Sequence, residues 1–139
     1  MKKLFTLLFL AGALTSYGQS RSIPIDTTVV TTHTTTVKGK TFSYTATTGT
    51  QPVWDDNGDP TATLFYTYYK RNNIKNSASR PLIISFNGGP GSASVWMHVA
   101  YTGPRILNID EEGYPVQPYG FKNNPNSIID VADIVFVNP

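Results

Sequence analysis

Residues 81–101 read PLIISFNGGPGSASVWMHVAY, and this stretch decides the fold of the chain. Leu82–Phe86 is a short apolar run, which is typical of a buried strand. Glycine and proline then interrupt regular structure at residues 87–91. Beyond them, apolar residues recur at helical spacing over residues 95–99. The pattern predicts a strand, a glycine-rich turn and a helix, in that order.

The glycine-rich turn at residues 87–91 has a chemical use. Glycine lacks a Cβ atom, so its backbone adopts left-handed angles and approaches a ligand closely. Successive N–H groups in such a turn can point at one spot, and a helix that begins there adds partial positive charge. We expect Ser92 or Ser94 to cap that helix. The turn suits an oxyanion or a carboxylate, although an ordinary strand-to-helix turn explains the same residues. It lacks the Gly-Lys-Ser/Thr ending of a nucleotide-binding P-loop.

Residues 87–94, NGGPGSAS, resemble the N-G-G-P-G-x-x-S signature of the serine carboxypeptidases, a branch of the α/β-hydrolase fold. The resemblance covers roughly residues 32–139 and continues, in the family's order, through Gly103-Pro104 and the blocks at 124–127 and 135–139. It implies an α/β class: the N-terminal part of an α/β-hydrolase fold, with antiparallel strands leading into a mostly parallel central sheet that is incomplete here.

The resemblance also implies roles for individual residues. The position of Gly89 supplies a backbone N–H to the oxyanion hole of the family, and losing one such donor costs on the order of 3 kcal/mol. The positions of Asn87 and Gly88 bind the C-terminal carboxylate of the substrate. The implied partner is therefore a peptide with a free C-terminal carboxylate, and neither a cofactor nor a metal is implied.

Three positions depart from the family pattern. Ser85 stands where the family commonly has tryptophan, but it shares a strand face with Asn87 and remains a third candidate for substrate binding. Ser92 replaces the usual cysteine of the signature, and the chain contains no cysteine at all. Ile128 replaces a frequent tryptophan.

A serine hydrolase also needs a nucleophile on a tight elbow, a base and an acid that orients the base. The sequence contains no G-x-S-x-G, and its only histidines are His33 and His98. We interpret His33 as exposed and His98 as a hydrogen-bonded structural residue. In the family the three catalytic residues follow a segment like this one. The chain is therefore interpreted as the N-terminal portion of a carboxypeptidase, inactive alone, whose partner is the remainder of the hydrolase domain.

The N-terminus predicts export. Residues 1–18 combine Lys2 and Lys3 with an apolar run at 4–14, which is typical of a cleaved signal peptide and too short for a membrane span. We expect a periplasmic or secreted protein with no stable membrane span after cleavage. Residues 19–31 are predicted to be a flexible leader, and 32–139 the hydrolase portion. Without Lys2 and Lys3, nine basic residues balance nine acidic ones. The sequence has no basic stripe of the kind that indicates nucleic-acid binding.

The remaining segments predict strands and turns. Residues 27–50 are half threonine, and we favour a β-hairpin around Lys38-Gly39-Lys40 over a glycosylated linker. Residues 55–59 predict a turn with Asn57-Gly58 at its centre. They do not predict a calcium loop, because the spacing differs and the distal glutamate is absent. Residues 61–71 predict another strand, and 128–137 a central parallel strand covered on both faces.

Three functions agree with these observations. The first is a serine carboxypeptidase, represented by its N-terminal portion. The second is another α/β-hydrolase or acyltransferase that uses the same turn. The third is a non-catalytic exported binding module that is built on the threonine-rich strands and folds from these residues alone.

Overall fold

The computed structural model describes residues 26–89 and 91–138. The predicted signal peptide and most of the predicted leader lie outside these ranges. The described residues form the strands β1 (Thr28–Val37), β2 (Lys40–Trp54), β3 (Pro60–Arg71), β4 (Leu82–Phe86), β5 (Arg105–Leu107), β6 (Phe121–Asn123) and β7 (Asp133–Asn138). Helical structure comprises a short helix that begins with α-helical residues 95–96 and continues as a π-helix at Met97–Thr102, and single 3-10 turns at Ser77–Ser79 and Ile128–Asp130. No helix in these ranges is both long and apolar enough to cross a bilayer.

Five strands form one sheet in the order β1-β2-β3-β7-β4, and β5 pairs with β6 separately. The first three pairings of the large sheet are antiparallel, while β4 and β7 are parallel. Antiparallel strands thus lead into a parallel pair, as predicted. The prediction of a mostly parallel sheet is wrong for the described part of the chain. That part is mainly antiparallel sheet with little helix, because β4 and β7 are its one parallel pair.

The threonine-rich hairpin is confirmed. Strands β1 and β2 pair along their length from Val37–Lys40 to Thr28–Gly49. Lys38 (φ 49°) and Gly39 (φ 76°) form the tight turn, in the left-handed angles that a two-residue hairpin loop requires. Since β1 begins at Thr28, the last four residues predicted as flexible leader, 28–31, are instead paired strand.

The turn between β2 and β3 is also confirmed. One carboxylate oxygen of Asp55 accepts the backbone N–H groups of Asn57 and Asp59, each at 2.9 Å. These hydrogen bonds, first of all the one from Asp59, hold the pKa of Asp55 below its ordinary value. The acidic side chain therefore closes a turn that carries the chain into β3.

A hydrophobic core lies on one face of the sheet. Its buried members are Val37, Tyr44, Ala46 and Ile129, with Phe42 and Tyr69 packed against them. The residues after β4 return over this face and cover it. The opposite face is less well covered, which decides the environment of the two parallel strands.

The predicted burial of β4 is wrong in the described structure. Leu82 is 56% exposed, Ile84 60% and Phe86 72%. The strand pairs with β7 alone and lies at the edge of the sheet, and its outer face has no layer over it. The strand predicted at 128–137 begins only at Asp133, because residues 128–130 form a 3-10 turn. It lies between β3 and β4, with Ile134 and Phe136 buried on the core face.

A buried ion pair joins the segments that precede the two parallel strands. The Nε atom of Arg80 lies 2.7 Å from a carboxylate oxygen of Asp133, and both side chains are less than 10% exposed. The same guanidinium donates to the carbonyl groups of Ile129 and Ala132. The Asp133 oxygen also accepts the backbone N–H of Arg71 at 3.0 Å, so that β3, β4 and β7 meet at one carboxylate.

We predict that Asp133→Asn loosens this end of the sheet, because Arg80 stays buried and charged without its counter-ion. Breaking a buried pair costs about 3–5 kcal/mol. Amide exchange in β3 and β7 should therefore become faster by about a hundredfold or more. Hydrogen exchange read by mass spectrometry on peptides from these strands measures the effect.

The matched control is Lys38→Gln, which breaks the pair between Asp130 and Lys38, a cation that is 64% exposed and therefore screened by water. Exposed pairs contribute about 0–1 kcal/mol, so exchange should change by no more than a few-fold. Equal effects of the two substitutions would contradict the role given to Asp133.

Candidate functional site

The glycine-rich turn follows β4 directly at its carboxyl end. Gly89 has φ +83° and Gly91 φ +74°, values that favour glycine over any residue with a Cβ atom. The N–H of Ser92 donates to the carbonyl of Gly89 at 3.1 Å and closes the turn. The positive φ angles explain the glycines at positions 89 and 91.

The carbonyl of Gly89 is occupied, but its N–H group is not. The N–H groups of Gly88 and Gly89 donate to no residue in the ranges that the structure describes. Nothing lies within 4 Å of where a Cβ atom would stand on either residue. The turn therefore has two consecutive backbone donors without partners and no steric block beside either glycine, which are features that an anionic ligand can use.

Asn87 closes the same turn with its side chain. Its Nδ2 atom donates to the hydroxyl oxygen of Ser92 at 2.8 Å. An amide nitrogen carries two hydrogens, so one donor of Asn87 remains for a ligand. Ser85 lies on β4, two residues before Asn87, and is half-buried. The structure thus places all four sequence-predicted residues, Ser85, Asn87, Gly88 and Gly89, along one continuous strand end; their assigned roles stay predictions.

Ser94 anchors the turn to both parallel strands. Its hydroxyl donates to the carbonyl of Val137 at 2.6 Å and lies 3.4 Å from the carbonyl of Ser85. Its N–H donates to the side-chain oxygen of Asn138 at 2.7 Å. Ser94 is 1% exposed, so these bonds are shielded from water. The predicted capping role of Ser92 or Ser94 is wrong, because the two hydroxyl groups bond to Asn87 and to the strand ends.

The helix after the turn is held at its far end. It is a π-helix at Met97–Thr102 rather than an ordinary α-helix. The amide of Asn124 donates to the carbonyls of Tyr101 and Gly103, each at 2.8 Å, and the hydroxyl of Ser127 donates to Thr102 at 2.9 Å. These three bonds satisfy carbonyl groups that a helix C-terminus leaves open.

Gly103 completes that helix end. A Cβ atom at this position would lie 2.1 Å from the carbonyl oxygen of His98, a distance that atoms cannot occupy. The glycine is therefore needed for close backbone approach, and not for an unusual φ angle. The blocks at 103–104 and 124–127 are thus structural in the described chain.

The two histidines occupy the environments that the sequence predicts. His98 stacks on Phe136 with ring centroids 4.4 Å apart, and its Nε2 atom lies 2.6 Å from the hydroxyl of Tyr69. Burial lowers the pKa of His98, while burial and the neighbouring Tyr44 raise the pKa of Tyr69 to about 12. His33 is exposed and bonds to Thr31 at 2.8 Å. Neither histidine contacts a carboxylate in the ranges described.

Sequence reasoning missed the part of Asn138 in this site. Asn138 lies 44 positions beyond Ser94, and the sequence marks it only as part of the block at 135–139. Its position immediately after the apolar run of β7 is a signal that was available, since a polar residue at the carboxyl end of a parallel strand lies beside the next strand's turn.

We predict that Asn138→Ala releases the segment after the turn, because the buried N–H of Ser94 loses its acceptor. An unsatisfied buried donor costs about 1–3 kcal/mol, so the Ser94 amide should exchange about 5- to 100-fold faster in NMR-detected hydrogen exchange. The control is Asn126→Ala, since Asn126 is exposed. Unchanged protection of Ser94 in Asn138→Ala would contradict the anchoring role.

Comparison with known proteins places this geometry in a family. The model of the serine carboxypeptidase family matches residues 41–139, more than half of the chain. The chain is 38% identical over 68 residues to serine carboxypeptidase-like 38 of Arabidopsis thaliana, a match that covers 48% of this chain and 14% of the relative.

A solved structure is also similar. Kex1Δp, a prohormone-processing carboxypeptidase from Saccharomyces cerevisiae, aligns with 70% of this chain and 19% of its own at 26% identity, with a TM-score of 0.49. The chain thus spans less than a fifth of the length of either relative. The family match rests on the segment that contains β2 to β7 and the glycine-rich turn, and it shows that the chain belongs to the serine carboxypeptidase family.

Proposed function

We propose that this chain contributes the oxyanion and carboxylate-binding turn of a serine carboxypeptidase, which releases C-terminal residues from peptides. The observation that carries the proposal is the pair of backbone N–H groups at Gly88 and Gly89, which have no partner among the described residues. In this role Gly89 donates to the oxyanion of the tetrahedral intermediate. Gly88 and the remaining amide hydrogen of Asn87 donate to the terminal carboxylate, with Ser85 beside them.

The anchoring of the turn supports this proposal. Donors that stabilise a transition state must be held in place before charge develops. Ser94 ties the turn to both parallel strands, and the hydrogen bond from Asn87 to Ser92 ties it to itself. The turn therefore keeps its shape while the N–H groups of Gly88 and Gly89 stay available.

In the proposal the nucleophile, base and orienting acid come from polypeptide other than the described residues. Among those residues, the hydroxyl of Ser94 bonds to a backbone carbonyl, and the histidines bond to Tyr69 and Thr31. No serine, histidine and carboxylate come together in this part of the structure as a hydrolase triad requires.

The uncovered side of the sheet supports the need for more polypeptide. Leu82, Ile84 and Phe86 are exposed together on the edge strand β4, next to the half-buried Val135 and Val137. Parallel strands are normally covered on both faces. We infer that the remainder of a hydrolase domain covers this surface and pairs with β4. Export through the N-terminal segment is part of the same proposal.

The test compares a peptide acid with the matching peptide amide. Titration of the isotope-labelled chain with N-acetyl-Phe-Ala should shift the backbone amide resonances of Gly88 and Gly89. The C-terminal amide of the same peptide should bind about tenfold or more weakly, because hydrogen bonds to charged groups contribute about 1.5–3 kcal/mol. Asn87→Ala should weaken binding of the acid to a similar degree, and the exposed control Asn123→Ala should not.

Two outcomes distinguish the other functions. Equal binding of acid and amide at the turn would favour another hydrolase or an acyltransferase and contradict carboxypeptidase specificity. Absence of any shift at Gly88 and Gly89, together with a compact monomer that melts cooperatively, would favour the binding module. Labelling of this chain by a fluorophosphonate probe would contradict the assignment of the nucleophile to other polypeptide.

A further inference from the structure

A second site lies away from the glycine-rich turn. A cavity of about 390 Å³ opens between the core face of the sheet and the β5–β6 hairpin. Strands β1, β2 and β3 form its floor, and the π-helix at Met97–Thr102 contributes one wall. Its volume falls in the lower part of the range of small-molecule sites. No residue of the turn lines it, so the cavity is independent of the proposed function.

Aromatic rings dominate the lining of this cavity. Five of its ten lining residues are rings, namely His33, Tyr44, Tyr69, His98 and Phe121. His33 stacks on Tyr44 with centroids 5.5 Å apart, and Tyr69 meets Tyr44 edge-on at 5.7 Å. Rings in such contact present flat apolar surfaces, which favour a planar ligand body.

The charge of the cavity lining favours an anion. Arg105 is the one lining residue with a formal charge at neutral pH, and no carboxylate lines the cavity. The guanidinium is oriented by a 2.8 Å hydrogen bond to the carbonyl of Phe121. An arginine has five N–H donors, so others remain free for a ligand.

Tyr44 supplies a second donor. Its side chain is 2% exposed, yet its hydroxyl has no hydrogen-bond partner within the described ranges. The oxygen is not sealed from solvent, and the cavity is the space that this side chain lines. Burial raises the pKa of Tyr44, and the nearby charge of Arg105 partly offsets that effect. The phenol and the guanidinium therefore face the same space, and the phenol stays protonated at neutral pH.

We propose that this cavity binds a small aromatic carboxylate, with its carboxylate between Arg105 and the hydroxyl of Tyr44 and its ring against the aromatic lining. The Tyr44 hydroxyl has no protein acceptor in the described ranges, so it is available to donate to a ligand in the cavity. The carboxylate satisfies the phenol and pairs with the guanidinium in one step. The aromatic body replaces water against the rings.

Benzoate is the probe, and benzyl alcohol is its neutral match in shape. Titration of the isotope-labelled full chain with benzoate should shift the amide resonances of Tyr44, Arg105 and Phe121. Benzyl alcohol should bind about tenfold or more weakly, because it has no charge to pair with the guanidinium and no second oxygen for a bidentate hydrogen bond.

Two substitutions test the donors separately. Arg105→Gln should weaken benzoate binding by about tenfold or more. Tyr44→Phe keeps the ring and its stacking, and it should weaken binding by a few-fold to about tenfold through loss of a single neutral hydrogen bond. The matched control is Lys122→Gln, which removes an exposed cation on β6 that does not line the cavity. It should leave binding unchanged.

Three results would overturn the proposal. Benzoate that shifts none of the three lining amides would show that the cavity is not a carboxylate site. Benzyl alcohol that binds as well as benzoate would show an apolar pocket without anion selection. Equal losses in Arg105→Gln and Lys122→Gln would reduce the effect to general charge attraction. Tyr44→Phe keeps the test valid if Arg105→Gln disturbs the hairpin.

Discussion

The structure of the candidate site depends on the buried side chain of Ser94. A serine in this position gives one hydroxyl donor and one backbone donor, and both bond to the carboxyl end of β7, while the hydroxyl also lies 3.4 Å from the carbonyl of Ser85 on β4. Because β4 runs directly into the glycine-rich turn, fixing Ser94 against Val137 and Asn138 fixes both ends of that turn. The positive φ angles of Gly89 and Gly91 then set its path. The result is a turn that is closed by a hydrogen bond to the carbonyl of Gly89 and whose N–H groups at Gly88 and Gly89 are without partners in the described structure.

The rest of the described chain keeps the two parallel strands in register. At their amino ends, the carboxylate of Asp133 accepts hydrogen bonds from the side chain of Arg80 and from the backbone N–H of Arg71. On the core face, Asn124 and Ser127 hold the end of the π-helix, which keeps His98 stacked on Phe136. These contacts join segments that are far apart in sequence. They explain why the polar residues Ser94, Asn124 and Ser127 are buried.

Local patterns in the sequence predict much of this fold. Alternating threonine and aromatic residues around Lys38-Gly39 predict the hairpin, because side-chain period and turn geometry are both local properties. The sequence likewise predicts the glycine-rich turn, since positions 89 and 91 need backbone angles that only glycine adopts freely. By contrast, the exposure of β4 depends on which strands lie beside it, and no periodicity within Leu82–Phe86 contains that information. The same reason explains why local patterns do not predict the hydrogen bond from Ser94 to Asn138 or those from Asn124 to the end of the π-helix. These bonds join residues that meet only in the folded chain.

The central claim is that Gly89 carries a backbone donor that is free of partners and yet held still. The most direct measurement is the ¹⁵N relaxation order parameter of the Gly89 amide in the isotope-labelled chain. A turn anchored by Ser94 predicts a value near 0.85, as in rigid backbone. A value below about 0.6, typical of a flexible loop, would contradict a preorganised donor at this position.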